Sequence, residues 1–115
     1  MKIDKSLTSG STTMLILKLL EKEDMYGYQM IEELEKRSEN IFTLKAGTLY
    51  PILHGLEQQG MVEAYEQVTE QDRTRKYYRI TKKGREFFQE KKLEWNSYTA
   101  VVNKVLGGTN YAVQS

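Results

Sequence analysis

Four cations crowd seven positions of this sequence: Arg73, Arg75, Lys76 and Arg79, interleaved with Tyr77 and Tyr78. Guanidinium, ammonium and phenol groups are donors that suit phosphate oxygens. On a strand, alternate residues face opposite ways. Arg75, Tyr77 and Arg79 then share one face, and Lys76, Tyr78 and Ile80 share the other, which points to the core with Lys76 near a hairpin tip. Arg73, Arg75 and Lys76 suit gripping phosphates or entering a minor groove. The same charges also protect an edge strand from pairing. A second set is Lys45, Thr48, Tyr50, His54 and Gln58, which falls at leading or outward positions of a helical pattern. A helix entering the major groove needs hydroxyls, amides and cations near its N-terminal end, where the helix itself attracts phosphate. Many solvated helices carry similar residues. His54, the only histidine, is either a DNA contact or a partly exposed packing residue. Tyr26 opens another helix, as a phosphate-bonding phenol or as a hydrophobic staple. Tyr28 beside it is expected to pack inward.

Other chemistries are poorly supported. Without cysteine there is no disulfide framework and no thiolate metal site. One histidine cannot build a His-rich metal cage. No glycine-rich phosphate loop occurs, nothing places a serine and an acid around His54, and the glutamates are strewn over helix faces. No catalytic residue, metal or cofactor is expected, and the chain is read as a non-enzyme.

The net charge of +1 conceals an asymmetry. Residues 1–72 carry −6, from 7 Lys and Arg against 13 Asp and Glu; residues 73–115 carry +7, from 10 against 3. A basic region can serve a polyanion although the whole chain is nearly neutral. A basic helix solvated beside an acidic one gives the same count.

The elements that must position these residues are legible in outline. The chain's 115 residues fit one compact domain. Met14 to Leu20 reads as a helix with a wide apolar face, ending near Glu23-Asp24, after a polar stretch Thr8–Thr13. Gly27 to Arg37 is amphipathic, with Met30, Ile31 and Leu34 inward. A third helix runs from Lys45 or Gly47 to Gln59, with Leu49, Ile52, Leu53 and Leu56 inward. Pro51 is expected in or just beyond its first turn, where N–H groups lack partners. Gly60 is the expected left-handed cap. Met61–Val68 and Arg75–Ile80 read as strands of a hairpin with a charged tip at 69–74. Thr81 caps a long final helix ending at Gly107-Gly108. The fold class is mainly α with a small β-hairpin: a winged helix-turn-helix over 1–80, a C-terminal dimerisation helix over 81–108 and a flexible tail over 109–115.

That last helix carries Phe88, Trp95, Tyr98, Val102 and Val105 at three- and four-residue steps, with Phe87, Val101 and Leu106 beside them. So long a stripe exceeds what a small domain can cover, and a two-fold partner copy is the economical solution. A dimer would present two reading helices to a pseudo-palindromic DNA site, with half-sites about one helical turn or its multiples apart. Trp95 is either interface core or the wall of a pocket between subunits. No apolar run is long enough to span a bilayer, since Met14–Leu20 is short and broken by Lys18. The start lacks signal-peptide features. A soluble, cytoplasmic protein without membrane contact is expected. The alternative from another class is a winged-helix protein–protein interaction module that does not bind DNA.

Several segments together resemble the PadR family of bacterial transcriptional regulators. They are Met25-Tyr26-Gly27-Tyr28-Gln29-Met30, the run from Gly47-Thr48-Leu49-Tyr50-Pro51 to Glu57, Gly60-Met61-Val62, and Arg75-Lys76-Tyr77-Tyr78-Arg79-Ile80-Thr81 with Gly84. The resemblance spans about Leu7 to Leu106, and the single last helix resembles the short second subfamily. It implies a homodimeric winged-helix repressor. Lys45, Thr48, Tyr50 and Pro51 would enter the major groove, Arg73, Arg75 and Lys76 would lie at the DNA backbone, and Tyr26 would touch phosphate. Multidrug-sensing relatives hold flat aromatic compounds between paired tryptophans at the dimer centre. Trp95 stands at the matching place, eleven residues after Gly84. A small aromatic effector would thus lie near Trp95, Phe88 and Thr99 of the last helix and Thr12 and Leu15 of the other subunit's first helix. Four residues depart from the pattern. Lys91 and Lys92 lie where drug-binding relatives are more apolar, and Thr99 replaces an acid, which together suit an anionic or neutral effector. Lys45 replaces a small polar residue and adds a cation.

Overall fold

The computed structural model describes residues 3–8 and 10–108. A one-turn helix, α1 (Lys5–Thr8), starts where the Asp4 carboxylate accepts the Ser6 N–H at 2.8 Å. That bond holds the Asp4 carboxyl below its ordinary value. Helix α2 (Thr12–Leu19) follows and begins before Met14, because the Ser11 carbonyl already accepts the Leu15 N–H at 3.0 Å. It also ends well before Glu23-Asp24. The chain has to straighten there, since Met25 and Tyr26 form a strand, β1 (Met25–Tyr26), paired with Tyr78 and Tyr77. Neither α1 nor β1 was expected; both are too short to leave a periodic pattern.

Helix α3 (Gly27–Arg37) has the expected bounds. The Gln29 side-chain carbonyl accepts the Tyr26 N–H at 3.0 Å and satisfies an otherwise orphaned donor. Gly27, Met30 and Leu34 form its buried face. Tyr28 follows Gly27 by about 100° of helical turn, so it points outward and is 56% exposed rather than packed inward. Glu39 and Asn40 take left-handed backbone conformations in the connector.

Helix α4 (Ala46–Gln58) buries Leu49, Leu53 and Leu56. Pro51 is its sixth helical residue, not part of the first turn, so the helix forgoes one hydrogen bond, the one to the Gly47 carbonyl. Gly60, at φ +76°, ends the helix as expected. Strands β2 (Val62–Val68) and β3 (Thr74–Ile80) form the hairpin. Their register pairs Val62 with Ile80, Tyr65 with Tyr77 and Val68 with Thr74, and the sheet order is β1-β3-β2. At the tip, the Thr69 N–H donates to the Arg73 carbonyl at 2.7 Å.

Helix α5 (Lys82–Val105) is capped by Thr81, whose hydroxyl accepts the Gly84 N–H at 3.0 Å. The same hydroxyl donates to the Gly60 carbonyl at 2.7 Å, and Lys83 Nζ donates to the Gln59 carbonyl at 2.8 Å. Gly84 permits this junction, because a methyl group there would overlap the Met61 carbonyl oxygen. The expected tail at 109–115 lies outside the described residues.

One core unites these parts: Ile16, Leu17, Leu19 and Leu20 of the first helical region with Met25, Met30, Leu49, Leu53, Val62, Tyr78, Ile80 and Phe88. Each fully buried aliphatic side chain contributes about 1.5–3 kcal/mol relative to exposure. The architecture is mainly α with a three-stranded antiparallel sheet, in which α3 and α4 form the helix-turn-helix and β2–β3 the wing. Phe88 is 2% exposed inside this core. It is therefore not part of a dimerisation surface, because α5 spends its first turns packing on α2 and β3.

Candidate nucleic-acid interface

The two residue sets that suggested phosphate chemistry meet at the start of α4. Its buried leucines fix the helix phase, which leaves Lys45, Thr48, Tyr50 and His54 exposed. Lys45 is the N-cap residue and His54 lies one turn beyond Tyr50. The Tyr50 phenol lies against Gly27, where any side chain would overlap it. That contact seats α4 on the first turn of α3. Burial pushes the Tyr50 hydroxyl above its ordinary value, while Arg75 and Lys76 pull it the other way.

Arg75 lies over the Tyr26 ring, 5.0 Å from its centroid. Lys76 lies on the opposite face of β3, over Tyr78 at 5.6 Å. The two faces of β3 divide as the alternation predicts, with Tyr78 and Ile80 buried and Arg79 exposed. Arg73 sits exposed at the wing tip. Arg75 therefore covers Tyr26 while Tyr50 packs against the next residue, Gly27, with Lys45 and Thr48 leading α4 and Lys76 on the other face of β3. Tyr28, which sequence reasoning sent to the core, is turned outward at the start of α3 and adds an exposed phenol there.

Pro51 goes elsewhere. With Ile52, Gly55 and Gln59 it lines a cleft of about 760 Å³ between α4, the N-terminal segment and α5. Phe87, Lys91, Glu94, Trp95 and Tyr98 form the α5 wall, and Thr13 and Met14 lie on the α2 side. Of the residues expected around an effector, Trp95 alone lines this cleft. Thr12 donates its hydroxyl to the Thr8 carbonyl at 3.0 Å, and Thr99 donates its own to Asn96 at 3.2 Å. Leu15 packs against the core, and Phe88 is inside it. Each lies one position from a residue that does line the cleft (Thr13, Met14, Phe87 and Tyr98), and one helical position is about 100° of rotation. Lys91 Nζ pairs with Glu94 at 3.1 Å, so the cleft's two charges offset each other.

Along α5 and its cap, Leu93, Trp95, Tyr98, Val101, Val105 and Leu106 are exposed apolar side chains, with Val102 half-buried. Among the described residues no cluster of three His, Cys, Asp or Glu could hold a metal, and no helix is long and apolar enough to cross a membrane.

Relatives share this architecture. A regulator from Clostridium thermocellum superposes with a TM-score of 0.80 at 31% identity, over 87% of this chain and 97% of that one. A PadR family transcriptional regulator from Eggerthella lenta gives 0.79 at 31% identity, over 91% and 88%. An uncharacterized protein of Lysinibacillus sphaericus is 31% identical over 106 residues, 92% of this chain and 97% of that one. Residues 16–90 match the model of the transcriptional regulator PadR-like family. That stretch includes α3, α4, the wing and the junction with α5. The chain belongs to the PadR-like family of transcriptional regulators, and it is a DNA-binding regulator rather than an enzyme.

Proposed function

We propose that the protein is a homodimeric, sequence-specific repressor that binds a pseudo-palindromic operator in the cytoplasm. The observation that carries this reading is the placement of Arg75 over Tyr26 at the start of α3, with the Tyr50 phenol of α4 against the adjacent Gly27. Residues 1–80 form the DNA-binding unit and 81–108 the dimerisation helix. Base reading belongs to the start of α4, through Lys45, Thr48 and Tyr50, with His54 one turn further on. Phosphate contacts belong to Tyr26, Arg73, Arg75 and Lys76. This division follows the general one in which backbone contacts set position and base-edge contacts set sequence.

Dimerisation gives the apolar side of α5 a place out of water. Trp95, Tyr98, Val102 and Val105 pair across the two-fold axis, with Leu93, Val101 and Leu106 at its margins. An effector, a flat aromatic compound without net charge, occupies the cleft beside Trp95. The Lys91–Glu94 pair supports the neutral choice over an anion. The cleft is also walled by Pro51, Ile52 and Gly55 of α4, so a ligand would touch the back of the reading helix. Release follows if the ligand binds better to a dimer whose reading helices no longer match the half-site spacing.

The test is fluorescence anisotropy with DNA from upstream of the protein's own gene and a scrambled duplex of equal length, titrated with salt. Tight, salt-sensitive binding that prefers the native duplex supports a specific regulator. Binding to neither duplex at low salt would sink the reading and favour a protein-interaction module.

A further inference from the structure

The outer face of the sheet carries a continuous row of side chains that phosphate binding alone leaves unexplained. Arg75 lies over Tyr26. Tyr26 meets Tyr77 edge-on, with ring centroids 5.3 Å apart. Tyr77 stacks on Tyr65 at 5.7 Å with only 18° between the planes. Arg79 closes the row over Tyr65 at 4.7 Å. The register explains the row: Tyr26, Tyr77 and Tyr65 are direct neighbours on β1, β3 and β2. The rings and the two guanidinium groups pack on one another along the row, which makes it a strut across the three strands.

Tyr65 does one thing more. Its hydroxyl reaches back over β3 and donates to Asp24 Oδ2 at 2.5 Å, across 41 residues of sequence. Asp24 directly precedes β1, in the segment that delivers the chain to α3. The bond therefore ties the outer wing strand to the helical body, and the aromatic row carries that tie to Arg75. The bond raises the Tyr65 hydroxyl above its ordinary value, as donation to a carboxylate does.

We infer that Tyr65 and Asp24 are positioning residues: they hold the wing at the angle that sets Tyr26 and Arg75 against phosphate, without touching DNA. This rests on the DNA-binding reading above. A wing held in its bound geometry loses less freedom on binding than one that must be ordered by DNA.

The experiment compares the wild type with Tyr65→Phe, Asp24→Ala, Asp24→Asn, the Tyr65→Phe/Asp24→Ala pair and Arg75→Ala. Each is titrated with a random-sequence duplex from low to moderate salt. Amide hydrogen exchange of the hairpin is measured without DNA. Tyr65→Phe keeps the ring and the stack, so the strand pairing is retained. Tyr65→Phe and Asp24→Ala are each expected to weaken binding about three- to tenfold, the range one partly exposed hydrogen bond supplies. The salt slope stays at the wild-type value while the hairpin amides exchange faster. Asp24→Asn, which keeps an acceptor, restores most of the affinity. The pair is no weaker than either single change. A salt slope lowered as in Arg75→Ala would make Tyr65 itself a phosphate contact and overturn the inference. Unchanged hairpin exchange would show that the bond holds nothing, and faster exchange with unchanged affinity would remove the positioning role. If the wild type bound no DNA, the DNA reading would fall and the positioning role with it, while exchange would still decide whether the tether exists.

Discussion

Replacing Arg75 with alanine separates a phosphate contact from every other role of the wing. Arg75 is half-buried, with its guanidinium over Tyr26, so it meets DNA partly ordered. One such contact is taken as about 1 kcal/mol, between exposed and fully charge-assisted pairs. The proposed two-fold dimer would lose two contacts, about 2 kcal/mol, or roughly thirtyfold in affinity at low salt. The salt slope is the sharper signature. Each lost phosphate contact lowers it by about 0.9, so the dimer loses about 1.8. Between about 50 and 200 mM salt, the wild-type advantage then shrinks by about twelvefold. Losing the stack on Tyr26 costs about 0.5 kcal/mol of folding stability, too little to unfold the domain at the assay temperature. Anisotropy titrations at four salt concentrations, on operator and scrambled duplexes, supply both slope and affinity. Equal losses on both duplexes are expected, because phosphate carries no sequence. An unchanged slope, or a loss confined to the operator, would refute the assignment of Arg75 to the backbone.

Three further outcomes follow from particular contacts. Gly84→Ala places a methyl group on the Met61 carbonyl oxygen, and a backbone obstacle cannot swing aside. Thermal denaturation should show a loss of about 3 kcal/mol, or about 12 °C in Tm; a wild-type Tm would contradict the packing. Gly27→Ala meets the Tyr50 phenol first, the far end of a side chain, so DNA affinity should fall about tenfold while Tm moves by only a few degrees. A large drop in Tm with DNA affinity unchanged would mean that Tyr50 is structural alone. Trp95→Ala should either yield monomers in sedimentation velocity or leave a dimer deaf to aromatic ligands in the anisotropy assay. If it did neither, Trp95 would have no part in interface or cleft.

The helices were legible because their apolar faces are regular. Met30 and Leu34 locate the buried side of α3, and Leu49, Leu53 and Leu56 that of α4, so the outward positions of Thr48 and Tyr50 could be read from spacing. Tyr28 was misread because residue type was weighed above phase: an aromatic was sent to the core although its neighbour Gly27 already held that direction. Phe88 was misassigned for a related reason. The apolar stripe of α5 serves the chain's own core at Phe88 and emerges from it by Leu93, and a stripe does not announce where its partner changes. Pro51, expected in or just beyond the first turn of α4, is its sixth residue and lies just beyond that turn. The bond from Tyr65 to Asp24 joins residues 41 positions apart. No local pattern encodes it; only the strand register does.

The junction at Gly60 has mechanical meaning. Thr81 and Lys83 bolt the base of α5 to the last turn of α4 through the Gly60 and Gln59 carbonyls. Joined this way, the two helices would turn together as a crank, with α4 as the short arm and α5 as the long one. At 24 residues, that long arm measures about 36 Å. A tilt of about 5° at the crank moves its far end by about 3 Å, close to the rise of one base pair. In a dimer joined through α5, the stiffness of a few hydrogen bonds at the base would thus decide how far apart two half-sites can lie and still be read.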